Sequence, residues 1–113
     1  MDGLDKISQE QDRHGDFSVL ANSATEAATL LKALGHDGRL TILCYLMSGP
    51  KSVTELENLL SSRQAVVSQQ LARLRLEGLV STRRDGHTIF YSIRDPKVVD
   101  LLQVLKRLFS TDC

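Results

Sequence analysis

The chain has 113 residues, a formal net charge of zero, 42% hydrophobic and 25% charged residues, and only two cysteines. That is one domain's worth of core, small for an independent catalytic fold with its own cofactor site, and two cysteines do not staple a secreted scaffold. No apolar run is long enough to cross a bilayer and no basic-then-apolar leader is present, so a soluble, cytoplasmic protein with no membrane partner is expected.

Residues 1–16 are polar and aperiodic, with five acids against two bases, and read as a flexible N-terminal tail. From Phe17 the pattern changes. Leu20, Ala24, Ala27, Ala28, Leu31 and Leu34 mark the apolar, small-residue face of a first helix running to Gly35. A second helix is predicted from Asp37, as its N-cap, through Leu40, Leu43, Cys44, Leu46 and Met47 to the Gly49-Pro50 break, and should be buried.

Ser52 stands three residues before Glu55, the spacing of a reciprocal hydroxyl–carboxylate cap, so a short helix should start near Val53 with Leu56, Leu59 and Leu60 on its apolar face. Ser61 and Gln64 repeat the signal. From there Ala65, Val66, Leu71, Leu74 and Leu76 recur at helical spacing toward Gly78, which suits the left-handed residue past a helix end. The period then drops to two: Val80, Thr82 and Arg84 alternate with Ser81 and Arg83, and Ile89, Tyr91 and Ile93 with Phe90 and Ser92. This is a two-stranded hairpin, with Asp85-Gly86 at its tip. Asp95-Pro96 then caps and opens a last helix carrying Val98, Val99, Leu101, Leu102, Leu105, Leu108 and Phe109.

The order α-α-α-α-β-β-α, mainly α with a small β-hairpin, is that of a winged helix-turn-helix filling residues 17–113. In that fold the second helix of the motif enters the major groove of DNA and the hairpin is the wing. Charge is distributed to match. Between Arg63 and His87 five arginines stand against Glu77 and Asp85, a local surplus of three positive charges suited to phosphate. Arg63, Gln64, Ser68 and Gln69, in the first turns of the recognition helix, are the candidates for base edges. Arg73 and Thr54 are candidate phosphate contacts, and Arg83, Arg84 and His87 place the wing on the backbone or in the minor groove. Val66, Leu71 and Leu74 are predicted to be core.

The last helix has more apolar residues than one face of a small domain can cover, which predicts a homodimer built by the first and last helices. Two recognition helices related by a two-fold axis read half-sites about 34 Å apart, so the partner is palindromic double-stranded operator DNA.

The runs ALGHDGRLTILCYL, SVTELENLL, QAVVSQQLARLRLEGLV and RRDGHTIFYSI resemble the ArsR/SmtB family of small dimeric bacterial repressors over nearly all of residues 17–110. Arg39 opening the second helix, the Val67-Ser68-Gln69-Gln70-Leu71 turn and the Gly86 wing ending in Phe90-Tyr91 carry the likeness. Gln70 departs from it, standing where the family often has His. The resemblance implies a repressor that leaves its operator when an inducer binds. Metal-sensing members carry paired cysteines in the helix before the recognition helix, or Asp and His ligands along the last. Here residues 52–60 contain no Cys or His and residues 96–111 contain Asp100 but no His, so no metal or other cofactor is expected.

A subgroup of the same family that senses sulfide-derived persulfides or oxidants resembles this chain in having a cysteine at the position of Cys44. Its second cysteine would fall near Ser110, whereas here Cys113 lies three residues later. The resemblance implies that Cys44 and Cys113 are sensing thiols and that the inducer is a persulfide. A peroxide or disulfide-stress switch using the same pair, and a DNA-binding regulator with inert cysteines, are the alternatives. An enzyme is not expected, since a thiol oxidoreductase would need Cys-x-x-Cys or a cysteine beside a base.

Overall fold

The structure, a computed structural model, describes residues 16–61 and 64–110, without the side chains of 64 and 65. The chain separates into two compact units, one ending at Lys32 and the other beginning at Ala33. In the first, the helix expected from Phe17 to Gly35 is two helices, α1 (Ser18–Asn22) and α2 (Ala24–Leu34), the latter crossing into the second unit. The break lies at Ser23, whose N–H donates to the carbonyls of Val19 and Leu20 while its own carbonyl accepts from Ala27. Asn and Ser compete with the helix for backbone bonds, and an Asn22-Ser23 pair is where a helix yields. Ahead of α1 the Asp16 carboxylate accepts the Ser18 N–H at 3.0 Å, which holds its pKa below the usual carboxylate value.

The second unit continues with α3 (Asp37–Leu46), strand β1 (Lys51–Ser52), α4 (Val53–Leu60), α5 (Gln64–Leu76), β2 (Val80–Asp85), β3 (Thr88–Ile93) and α6 (Pro96–Phe109). Local chemistry sets most of these limits. Ser52 and Glu55 form the reciprocal capping box that starts α4, with Ser52 Oγ accepting from Glu55 N at 3.1 Å and Glu55 Oε1 from Ser52 N at 3.0 Å. Asp95 accepts the Lys97 N–H and Pro96 opens α6. After α5 the N–H of Gly78 donates to Arg75 and that of Leu79 to Leu74, a Schellman closure that needs the positive φ of Gly78.

Two expected caps are different residues. His36, not Asp37, caps α3, its Nδ1 accepting the Gly38 N–H at 3.1 Å; Asp37 is the first helical residue. Ser61 does not open α5 but ends α4, in the left-handed conformation with φ 51°. The sheet has three strands rather than two, in the order β1-β3-β2, because Lys51 and Ser52 pair antiparallel with Tyr91 and Phe90. Two residues carry no readable alternation, so β1 is visible only once β3 lies beside it.

The core of this unit is built from Ile42, Leu43 and Leu46 of α3, Leu56 of α4, Val67, Leu71 and Leu74 of α5, Val80 of β2, and Val98 and Leu102 of α6. Each fully buried aliphatic side chain contributes about 1.5–3 kcal/mol over leaving it in water. Val66, expected inside, is 46% exposed, and Val67 takes its place at 1%. Successive helical residues point about 100° apart, and the pair Val66-Val67 offers either to the core. On α3 the inward residues Ile42, Leu43 and Leu46 turn Cys44 and Met47 outward, so the helix is buried on one side only. Leu59 likewise lies outside the expected apolar face of α4.

Candidate nucleic-acid interface and thiol groove

The wing is fixed by its register. Val80, Thr82 and Arg84 stand opposite Ile93, Tyr91 and Ile89, while Ser81 and Arg83 stand opposite Ser92 and Phe90. Opposed residues share a face, so the two faces differ in chemistry. The pairing ends at Asp85 and Thr88, and the two-residue loop is therefore Gly86-His87, one residue later than the expected Asp85-Gly86 tip. Gly86 alone takes the positive φ, 65°. From Arg83 to Ile89 every wing residue is exposed. Arg83 carries its guanidinium carbon 6.0 Å from the centre of the Phe90 ring, a cation–π contact that holds the charge at the hairpin surface.

On the helices, Thr54 and Gln69 are exposed and Ser68 is half-buried. Arg63 lies outside the described residues. Gln64 opens α5, but its side chain is outside them too. Arg73 is exposed yet paired with Glu77 one helical turn on, Nε to Oε1 at 3.2 Å, so a phosphate must compete with that carboxylate for it. Gln70 is half-buried and approaches the start of α3, its Nε2 3.8 Å from where a Cβ on Gly38 would sit. Exposed Val66 joins the same helix surface as Gln69 and was missed among the candidates; an apolar side chain there suits a thymine methyl.

A second site lies between α3 and α6. Cys44 is exposed, and two cavities flank it, of about 530 Å³ and 790 Å³. Both are walled by Cys44, Leu102, Lys106 and Ser110; the first adds Leu40, Leu105 and Phe109, the second Met47, Gln103 and Arg107. Although Cys44 is exposed as a residue, these walls shield enough of its thiol for desolvation to push its pKa above the ordinary value. Cys113, the other expected thiol, lies outside the described residues. Lys106 and Arg107 were not singled out by the sequence; their one-turn relation to Leu102 and Gln103 places them on the groove, but only knowledge of the opposing helix makes that meaningful. Among the described residues no group of three His, Cys, Asp or Glu side chains is placed to hold a metal ion.

A helix pair, a recognition helix and a basic hairpin built on one core define a winged helix-turn-helix DNA-binding protein. A family profile described as "Bacterial regulatory protein, arsR family" matches residues 36–82. The "Biofilm growth-associated repressor" of Agrobacterium fabrum is 46% identical over 91 residues, 80% of this chain and 78% of the relative. The "Transcriptional activator HlyU" of Vibrio cholerae is 39% identical, covering 83% of this chain and 87% of its own. Among solved structures, the transcriptional repressor BigR from Xylella fastidiosa superposes with a TM-score of 0.79 at 40% identity, over 82% of this chain and 95% of that one. Reduced HlyU from Vibrio cholerae superposes with a TM-score of 0.76 at 38% identity, over 81% and 97%. The chain belongs to the arsR family of bacterial regulatory proteins and is a DNA-binding transcriptional regulator, not an enzyme. No described helix is long and apolar enough to cross a membrane.

Proposed function

We propose that the protein is a homodimeric repressor that releases a palindromic operator when Cys44 and Cys113 react with a persulfide. The observation that carries this is the placing of Cys44: an exposed thiol in a groove whose other wall is the end of α6 and its cap Ser110, which stands three residues before Cys113 in the sequence. The regulators it is similar to include named repressors, and one structural relative is described in its reduced form, which supports a thiol as the responsive group. A dimer is supported by α6, on which Val104, Leu108 and Phe109 remain exposed beside the buried Val98 and Leu102.

The Cys44 thiolate attacks the sulfane sulfur of a persulfide RSSH; an S–S bond forms to Cys44 and the thiolate of RSH leaves. A second RSSH lengthens the chain by one sulfur. Attack by the Cys113 thiolate on the middle sulfur then expels hydrosulfide and closes a three-sulfur bridge. Two protein thiols and two persulfides thus yield the bridge, two RSH and one hydrogen sulfide, with persulfide as the oxidant. Sulfide itself, already fully reduced, cannot drive the reaction. A bridge from α3 to the end of α6 alters the packing of α6, where the dimer contact is placed, and the two-fold spacing of the recognition helices with it.

The test is operator affinity of the reduced protein before and after sulfide, a persulfide donor or hydrogen peroxide, with intact mass on the same samples. Loss of affinity with the persulfide donor alone, with added sulfur joining Cys44 to Cys113, is the expected result. Release by peroxide with a two-hydrogen mass loss would make the protein a general thiol-oxidation switch, and no response to any of the three would leave the cysteines inert.

A further inference from the structure

Two cavities of different character meet beside Cys44. Leu40, Leu105 and Phe109 belong to the one of about 530 Å³, Gln103 and Arg107 to the one of about 790 Å³, and Cys44 and Lys106 to both. Helical spacing explains the division. On α6, Leu105, Lys106 and Phe109 recur at the three- and four-residue intervals of one face, and Gln103 and Arg107 form a neighbouring row. Val104 and Leu108 stand on the far side of the helix, so filling the groove leaves those two residues of the proposed dimer contact free. Basic residues in a last helical turn complement the helix dipole, which accounts for the sign of Lys106 and Arg107. It does not account for an apolar cavity beside them. Neither cation has an ion pair or a side-chain hydrogen bond among the described residues, and Phe109, a wall of the first cavity, is left 78% exposed to water. Open apolar surface next to two cations without a carboxylate is complementary to a molecule with an apolar body and one anionic end.

We propose that the groove between α3 and α6 is a reversible binding site for a free monocarboxylic acid with an apolar body of medium length, the body lying against Leu40, Leu105 and Phe109 and the carboxylate held by Lys106 and Arg107. The first cavity falls within the range of about 300–1,000 Å³ typical of small-molecule sites, which share the pattern of an apolar lining with a few convergent polar groups. Burial of the apolar body supplies most of the affinity. The cations, exposed on α6, add selectivity for the acid over an uncharged molecule of the same length. Because Cys44 belongs to both cavities, an occupant that reaches from one to the other lies across its thiol and covers it. The site needs no thiol reaction, so it stands or falls apart from the persulfide reading.

The test uses the reduced full-length protein carrying Cys113→Ser, so that intact mass reports N-ethylmaleimide addition at Cys44 alone. Decanoate, decanol and acetate are titrated below any micellar concentration, and calorimetry on the same samples measures binding. Decanoate is expected to bind and to protect Cys44 saturably, decanol about three- to five-fold more weakly, and acetate not at all over the same range. Lys106→Gln with Arg107→Gln should abolish the preference for decanoate over decanol, and Phe109→Ala should weaken both ligands while leaving that preference in place. Equal affinity for decanoate and decanol in the parent protein, a preference that survives removal of both cations, binding of decanoate that leaves Cys44 unprotected, or no binding of decanoate overturns the proposal.

Discussion

Arg83 and Phe90 face each other across the wing as a directly opposed cross-strand pair, the guanidinium carbon 6.0 Å from the ring centre. The ring limits where the guanidinium can go without neutralising it, so the charge is presented rather than buried. Removing the charge and removing its platform should therefore have different signatures. Arg83→Ala should lower operator affinity and reduce the salt slope by about one counterion. Phe90→Leu should weaken binding by about two- to five-fold, the worth of an exposed cation–π contact, with the slope unchanged. Anisotropy titrations across a salt series separate the two; equal slopes for Arg83→Ala and the parent protein would remove Arg83 from the interface.

Val66 and Val67 are adjacent, alike in side chain, and opposite in environment, 46% against 1% exposed. Val67→Ala should destabilise the fold by about 1–3 kcal/mol through lost burial and the void left behind. Val66→Ala should stay within about 0.5 kcal/mol in denaturant titrations while affecting operator discrimination. The reversed pattern would place the wrong valine in the core.

The Ser52–Glu55 box links β1 to α4, since Ser52 both pairs with Phe90 and caps the helix. Ser52→Ala removes the side-chain acceptor for Glu55 N at a cost of about 1 kcal/mol, which for a domain of this size lowers the melting temperature by roughly 4–8 °C. Calorimetry checks the value. A melting temperature unchanged by the substitution would mean that water replaces the hydroxyl without loss.

Desolvation raises the Cys44 thiol pKa, so its thiolate is scarce at neutral pH. Alkylation of Cys44 in a Cys113→Ser background should still be accelerating with pH beyond about 8.5, the ordinary thiol value, with its midpoint above that of a free cysteine peptide run in parallel. The sign is fixed by the cause: burial disfavours the charged form and so lifts the pKa. A midpoint below the peptide's would mean that Lys106 and Arg107 outweigh the apolar walls.

The start of α4, the Asp95-Pro96 opening of α6, the Schellman turn at Gly78 and the positive φ of Gly86 were all legible in the sequence. In each, the deciding atoms lie within a few residues of one another, so local spacing is the structure. The same locality made the winged helix-turn-helix order and its ArsR-family resemblance readable. What needed the tertiary structure is everything about which way a side chain looks. A helix apolar on more than one side, such as α3, does not announce its inner face, and its neighbours turned Cys44 into the groove with α6 rather than into the core. Strand β1 exists only because β3 lies beside it, and Lys106 and Arg107 become the rim of a cleft only when α3 stands across from them. Local hydrogen bonds end helices; only the packing of one element on another decides which of their residues meet.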